Sequence, residues 1–273
     1  MEARGKVPCE RLSLGTSGRR ALLVLALVAW LLASIPARAD YEVVEVRDAG
    51  TLAGRVTFVG ELPALAPVPV AKDQEVCGHT VPPDGPSVAP DGRGVRDAVI
   101  SLEGVARGKA LTPGAATLEN RGCRFVPHVQ AVPLGTELTT VNADPLLHNV
   151  RGRIGDRVVL NVVQPSRGQR TARELRRPGT IALGCDVHPN MRAFLLVFPH
   201  PYFAQTDAAG LFRISGIPPG TYQVRMWHPG WVRLRAPDPA GERYEEPHVL
   251  TREVRVPPGG EVMVSFELSE RRW

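Results

Sequence analysis

The chain has 273 residues and a formal net charge of +5 at pH 7, with 27 Gly, 26 Pro and four Cys. Residues 1–39 carry six Lys or Arg and two Glu, a net charge of +4, so only +1 remains for the rest of the chain. That remainder has no basic patch or run of like charge, which argues against a nucleic-acid partner.

The first 39 residues have the layout of a targeting segment. Arg19 and Arg20 precede a mostly apolar run over residues 21–35, and Ala37-Arg38-Ala39 offers a small-residue cleavage site. This layout predicts a secretory signal peptide over residues 1–39 and a periplasmic or extracytoplasmic location. The apolar run is shorter than the roughly 20 residues of a spanning helix, but an uncleaved membrane anchor remains the alternative. The paired arginines leave both Sec and twin-arginine export open.

The remaining 234 residues have an all-β composition, with short apolar runs between Gly and Pro and no long 3.6-residue period. Strands are predicted at 51–59 and 95–103, with an irregular proline-rich stretch over 60–94 between them. A buried strand is predicted at 157–163. Further strands are predicted at 116–120, 130–135, 136–142, 170–175, on both sides of Cys185, at 206–214, 216–228 and 261–268.

One short stretch brings together metal-binding side chains. Residues 184–191, Gly-Cys-Asp-Val-His-Pro-Asn-Met, place a thiol, an imidazole and a thioether in one predicted turn, and His148 supplies an imidazole upstream. Two His, one Cys and a weakly bound Met are the ligands of blue-copper sites, and Met is a poor ligand for hard cations. The alternatives are that the Cys-x-x-His pair is half of a zinc site and that His148 is a hydrogen-bonded core residue.

The pattern His-Asn-Val, then Pro-Gly-Thr-x₄-Cys-x-x-His-x-x-Met-x₃-Leu-x-Val, resembles the cupredoxins, the plastocyanin and azurin group. The two-residue gap between His188 and Met191 is most similar to amicyanin. The resemblance spans residues 112–199 and implies a Greek-key sandwich with one type 1 copper. By position, the implied copper ligands are His148, Cys185, His188 and Met191. It also implies that the backbone N–H of Asn149 donates to the cysteine sulfur.

The residues on both sides of this region carry a second resemblance. Residues 206–222 contain Thr-Asp-x-x-Gly-x-Phe-x-Ile and Ile-Pro-Pro-Gly-x-Tyr, which resemble the carboxypeptidase-regulatory-like, or transthyretin-like, module. The nearest matches to the first two strands of that module, at 54–56 and 97–102, lie before the copper region. The resemblance therefore implies a cupredoxin-like domain at 112–199 inserted into a transthyretin-like β-sandwich of residues 50–109 plus 201–270. That module supplies no catalytic motif.

Three cysteines follow residue 39, and an odd count in an oxidising compartment needs a reason. If Cys185 binds copper, Cys77 and Cys123 are left to form a disulfide. The alternatives are that both stay free, or that Cys123 pairs with Cys185 and no copper binds. His128, five residues after Cys123, is either an additional ligand or a buried histidine bonded to a backbone carbonyl.

These patterns predict a periplasmic protein that transfers single electrons and is not an enzyme. His188 is expected to present its ring edge to a redox partner, ringed by apolar Pro145, Leu146 and Pro189. The bacterial chains resembled include methylamine-utilisation proteins, which implies a cytochrome or quinoprotein partner. The alternatives are a copper carrier or sensor that hands over its metal, and a structural β-module with a degenerate copper site.

Overall fold

The structure is a computed structural model that describes residues 41–90, 93–231 and 245–270. The predicted signal peptide over residues 1–39 lies outside the described residues. Within the described ranges, no helix is long and apolar enough to cross a membrane. Nearly all regular structure in these ranges is β-strand, which confirms the all-β prediction.

The described chain contains one helix, α1 (Gln74–Cys77), and twenty strands. The first ten are β1 (Glu42–Val43), β2 (Gly50–Phe58), β3 (Val68–Pro69), β4 (Thr80–Val81), β5 (Val99–Glu103), β6 (Arg107–Gly108), β7 (Ala115–Asn120), β8 (Phe125–Val126), β9 (Val129–Pro133) and β10 (Glu137–Asn142). The others are β11 (His148–Ile154), β12 (Arg157–Gln164), β13 (Arg170–Glu174), β14 (Gly179–Gly184), β15 (Arg192–Phe198), β16 (Phe203–Gln205), β17 (Leu211–Ile217), β18 (Gly220–His228), β19 (His248–Val256) and β20 (Glu261–Leu268).

Strands β7 to β15 form two facing sheets. A five-stranded sheet has the order β12-β11-β14-β15-β9, and a four-stranded sheet has the order β13-β10-β7-β8. Each contains one parallel pair, β9 with β15 and β7 with β10. Parallel neighbours need crossover connections, as a Greek-key sandwich has. Alternating side chains such as Leu118, Leu138 and Leu183 fill one shared core between the sheets.

The strands on either side of this segment form two more sheets. One has the order β16-β5-β18-β19 and the other β17-β2-β20. Strand β2 pairs with β17 and β20, and β5 pairs with β18, so residues far apart in sequence meet in the same sheets. Leu52, Ile100 and Phe266 lie in the common core of these sheets. Strands β7 to β15 therefore lie between β5 and β16 in sequence and form two sheets of their own, which we call the inserted sheets.

Strand β15 packs against both sheet systems, which accounts for its unbroken apolar sequence Ala-Phe-Leu-Leu-Val-Phe. Its odd-numbered residues, such as Leu195, lie in the core of the inserted sheets. Phe194, Leu196 and Phe198 pack in a third cluster with Val99 and Trp227. The rings of Phe194 and Trp227 meet edge to face at 5.3 Å. Burial on both faces is the situation in which a strand loses its apolar–polar alternation. Strand β15 therefore fixes the end of the preceding turn rigidly.

The proline-rich stretch contains more structure than predicted. Strands β3 and β4 pair antiparallel, with Val68 opposite Val81, and α1 lies between them. Val68, Val70 and Val81 are buried in the core of the inserted sheets, although they precede those sheets by more than thirty residues. We call residues 68–81 the capping segment.

The prediction of a buried strand at 157–163 is wrong about burial. Strand β12 lies at the edge of its sheet, where every second side chain faces solvent. Val158 is 47% exposed and Val163 54% exposed. Val163 shares the open face of β12 with Arg157 and Asn161, whereas Val158 is exposed at the start of the opposite face. The polar residues Arg157 and Asn161 were the sequence signal for an open face.

His228, at the end of β18, leads to a prediction about acid stability. Burial lowers its pKa to about 3, while its ring Nδ1 lies 2.9 Å from the carbonyl of Pro229. An unfolded histidine has a pKa of about 6.5, so between pH 6.5 and 3 the unfolded chain binds a proton that the folded chain does not. Stability is therefore complete above pH 6.5 and falls below it, by up to about 1.4 kcal/mol per pH unit.

The measurement is urea unfolding of metal-free protein between pH 7 and pH 4. His228→Asn keeps an N–H donor for the Pro229 carbonyl, and we expect it to show a shallower loss of stability than the wild type. The exposed His79 offers the matched control, His79→Asn. Equal slopes for the wild type and His228→Asn would contradict this role of His228.

Candidate metal centre

The predicted donor residues meet at one end of the five-stranded sheet. His148 is the first residue of β11, and Cys185 directly follows β14. These strands are antiparallel neighbours with Arg151 opposite Gly184, so the start of β11 lies beside the end of β14. The turn from β14 to β15 carries His188 and Met191 at the same end. Four residues from two distant stretches are thereby placed together by strand pairing.

The two imidazoles face the same sulfur atom. The Sγ atom of Cys185 lies 4.0 Å from Nδ1 of His148 and 4.0 Å from Nδ1 of His188. Metal–sulfur bonds of about 2.3 Å and metal–nitrogen bonds of about 2.0 Å together exceed this separation, so one ion can contact the sulfur and both nitrogens. Among the cysteines of the described ranges, Cys185 is the free one, and it is buried.

Carboxylates orient both rings. Nε2 of His148 donates to Oδ2 of Asp144 at 3.0 Å, and Nε2 of His188 donates to Oδ2 of Asp73 at 2.9 Å. An ionised carboxylate only accepts hydrogen bonds, so each Nε2 carries a proton and Nδ1 is the ring atom that faces Cys185. Paired carboxylate and imidazole groups of this kind hold metal-ligating histidines in the correct tautomer.

The electrostatic surroundings keep His148 neutral. Burial lowers its pKa, and the neighbouring His188 ring, with its centroid 4.7 Å away, lowers it further, against the opposing effect of Asp144. A neutral imidazole keeps the lone pair that a metal ion needs. The His148 side chain is therefore prepared for metal binding at neutral pH.

Met191 is buried in the donor turn between β14 and β15, and Asn149 contacts that turn through its side chain. Met191 is 1% exposed and belongs to the same buried cluster as Cys185. The side chain of Asn149 makes two hydrogen bonds to Asp186, the residue after the cysteine. Its Oδ1 accepts from the Asp186 amide at 2.7 Å, and its Nδ2 donates to the Asp186 carboxylate at 2.8 Å. Asn149 thus ties the start of β11 to the donor turn through its side chain.

The expectation of an exposed His188 is wrong. Its side chain is 0% exposed because the capping segment lies over it and Asp73 binds its Nε2. Pro145 and Pro189 are exposed, as expected of a contact surface, and Leu146 is partly buried. These apolar residues therefore surround a covered histidine.

Cys77 and Cys123 form a disulfide with a Cα–Cα distance of 5.5 Å, as expected if Cys185 is left for copper. The bridge ties the capping segment to the turn between β7 and β8. His128 matches the backbone-bonded alternative, since its Nδ1 donates to the carbonyl of Arg192 at 3.1 Å.

Sequence reasoning did not identify Asp73 or Asp144. Asp144 lies four residues before His148, and a carboxylate at that spacing in a turn is the one signal that could have drawn attention to it. Asp73 lies 115 residues from His188 in sequence, within a stretch predicted to be irregular. Only the folded position of the capping segment shows that Asp73 binds the His188 ring.

Removing either carboxylate should weaken copper binding. Loss of such an outer partner typically lowers metal affinity 10–100-fold, and we expect this for Asp73→Asn and Asp144→Asn. The effect of Asp144→Asn should be larger, because the Asp144 carboxylate also accepts from the amides of Gly122 and Cys123.

Competition with a chelator of known Cu(II) affinity measures the change. Asp156→Asn, at an exposed carboxylate in the turn between β11 and β12, is the control and should bind like the wild type. Wild-type copper affinity in both Asp73→Asn and Asp144→Asn would show that these carboxylates do not orient the histidines for metal binding.

No protein-family model matches the chain, and no curated protein matches it. Several solved structures share part of the fold. A purple cupredoxin from Nitrosopumilus maritimus is 21% identical, covering 30% of this chain and 99% of its own, with a TM-score of 0.27. Amicyanin from Paracoccus versutus is 20% identical, covering 31% of this chain and 81% of its own, with a TM-score of 0.28.

A copper-containing nitrite reductase from Thermus scotoductus SA-01 is 22% identical over 52% of this chain, with a TM-score of 0.28. The chain spans only 28% of that enzyme. Likenesses with TM-scores this low carry no argument about function. The functional case rests on the donor geometry of the chain itself.

Proposed function

We propose that this chain is a type 1 copper protein that carries single electrons between partner proteins and does not turn over a substrate. The observation that supports this most strongly is the pair of 4.0 Å distances from the Cys185 sulfur to Nδ1 of His148 and of His188. A thiol between two imidazole lone pairs, with Met191 buried in the same cluster, matches the ligand set of blue-copper sites.

When bound, copper supplies a one-electron couple between Cu(II) and Cu(I). The protein holds the donors still: Asp144 and Asp73 fix the two rings, and β14 and β15 fix the turn between Cys185 and Met191. Exposure of 0% at both histidines and 6% at Cys185 excludes water from the donor atoms. Metal-binding atoms that are shielded from water and fixed in position favour electron transfer over ligand exchange.

We place the electron's path to a partner through the capping segment. His188 is covered, but the Asp73 carboxylate bonded to its Nε2 is 26% exposed. Val76, on α1 beside it in sequence, is 43% exposed and supplies apolar contact area. The redox partner, a cytochrome or quinoprotein by resemblance, would therefore contact the capping segment and the neighbouring Pro189.

The second candidate is a copper carrier or sensor. Such a protein must release its ion to an acceptor, which is easiest when a ligand reaches the surface. The burial of all four donors favours retention of the ion. The third candidate, a degenerate copper fold, is disfavoured because a free thiol and both imidazole lone pairs are present and aligned.

The wider organisation supports an extracytoplasmic role. The disulfide between Cys77 and Cys123 suits an oxidising compartment, in agreement with the signal peptide proposed for residues 1–39. We propose that the inserted sheets are the copper domain and that the flanking sheets are a transthyretin-like module of structural function. A methylamine-utilisation role remains part of this proposal through resemblance alone.

Voltammetry of the copper-loaded protein tests electron transfer. We expect a reversible one-electron couple and retention of copper after repeated cycles. Incubation with a copper-free acceptor protein, followed by separation and metal analysis, tests the carrier alternative. Stoichiometric copper loss to the acceptor, or the absence of a reversible couple, would contradict an electron-transfer role.

A further inference from the structure

Three cysteine sulfurs surround the two ligand imidazoles. Besides Cys185, the sulfurs of Cys77 and Cys123 form a group with a ring nitrogen of His188 in which all three atoms lie within 4.8 Å of one another. All of these residues are buried. The sulfurs of Cys77 and Cys123 are bonded to each other, so in this state they offer no thiolate to a metal ion.

The two bridge cysteines are held beside the histidines by more than the sulfur–sulfur bond. Asp144 accepts from the amide of Cys123 at 2.9 Å and from the His148 ring. Asp73 accepts from the amide of Cys77 through its backbone oxygen at 2.9 Å, and from the His188 ring through its carboxylate. Each bridge cysteine therefore shares one aspartate with one ligand histidine.

Two further contacts would keep these cysteines in place if the bridge opened. The side-chain amide of Asn190, in the donor turn, donates to the carbonyl of Cys123 at 3.0 Å. Val68, Val70 and Val81 anchor the capping segment in the core of the inserted sheets, so Cys77 stays near the site without its covalent link.

We propose that reduction of the Cys77–Cys123 bridge creates a second soft-metal site, in which the two thiolates bind Cu(I) beside His188. Thiolates are the ligands that Cu(I) favours. With metal–sulfur bonds of about 2.3 Å, two sulfur ligands of one ion lie up to about 4.6 Å apart, a separation that two neighbouring cysteines reach by side-chain rotation. The His188 ring lies beside this pair, but its Nδ1 faces Cys185 and its Nε2 donates to Asp73, so the two thiolates hold the second ion.

The chemistry balances with a dithiol as the reductant. The bridge takes up two electrons and two protons and becomes two thiols, while the dithiol becomes a cyclic disulfide. Binding of Cu(I) then releases the two thiol protons, because the thiolate is the ligand. This second site goes beyond the electron-transfer function, since it links the amount of copper held to the thiol–disulfide state of the protein.

Anaerobic titration with Cu(I) against a coloured Cu(I) chelator tests the proposal. The purified protein is compared before and after treatment with a dithiol, which is then removed. We expect the bound copper to rise from one equivalent to two. The double variant Cys77→Ser/Cys123→Ser should bind one equivalent in both conditions, and Cys185→Ser should bind none before reduction and one afterwards.

These variants separate the two sites, so failure of the first site is distinguishable from failure of the second. One equivalent in the wild type both before and after reduction, with the bridge shown open by thiol counting, would overturn the proposal.

Alkylation of the wild type gives a second readout that needs no variant. In the reduced protein, a second Cu(I) equivalent should protect Cys77 and Cys123 from iodoacetamide, as read by peptide mass. Equal alkylation with one and with two equivalents would also overturn the proposal.

Discussion

Replacing Cys185 with serine is expected to abolish the intense visible band of the copper-loaded protein. That band arises from charge transfer between a cysteine thiolate and Cu(II), and Cys185 supplies the thiol that faces both imidazoles. Serine keeps the size of the side chain but not the polarisable sulfur. The visible spectrum after addition of one equivalent of Cu(II) measures the change.

The chain supplies its own control for this substitution. Cys77→Ser/Cys123→Ser removes two buried sulfurs that lie beside the same histidines but are bonded to each other. We expect this double variant to keep the band. A band that survives Cys185→Ser, or is lost only in the double variant, would assign the copper thiolate to a different cysteine.

Loss of the bridge is expected to cost about 4 kcal/mol of stability. The cysteines are 46 residues apart, and the chain-entropy model gives about this value for a loop of that length. In the chain-entropy model the cost arises because the unfolded chain gains freedom, so the folded capping segment can stay packed through Val68, Val70 and Val81. The free energy of unfolding of metal-free Cys77→Ser/Cys123→Ser, measured in urea, tests this value.

Cys185→Ser is again the matched control, since it changes a buried cysteine without opening a covalent loop. We expect it to retain most of the wild-type stability without metal. A loss below about 1 kcal/mol in the double variant would contradict the chain-entropy value for this bridge.

The donor set could be predicted from the sequence because its chemistry is local. Cys185, His188 and Met191 fall within seven residues between two strands, and the pairing of β11 with β14 needs only ordinary antiparallel geometry to bring His148 beside them. A short turn with fixed ends leaves little freedom for where its side chains go. The sequence spacing of these residues was therefore enough to predict which side chains meet.

The covering of the site could not be predicted in the same way. Asp73 contacts His188 across 115 residues, and the contact depends on a two-residue strand pair and a single helical turn. Elements this short leave no periodic pattern. Their position is set by the Cys77–Cys123 bridge and by core packing, both of which are long-range.

Besides several strands of two or three residues, two longer strands were missed for local reasons. Strand β11 contains Arg151-Gly152-Arg153, which looks like a turn in sequence. A Cβ atom at Gly152 would lie 2.7 Å from the side chain of Ile181, so the glycine serves close packing between strands. Strand β19 exposes most of its residues and therefore lacks an apolar period. In both cases tertiary packing outweighed the local pattern.

The most direct test of the central claim is the visible spectrum of the purified protein with one equivalent of Cu(II), followed by competition with Zn(II). The buried thiol between two imidazole lone pairs predicts an intense thiolate-to-copper band at one copper per chain, and the band should persist against an equal amount of zinc. A colourless protein that retains zinc instead would contradict a type 1 copper centre.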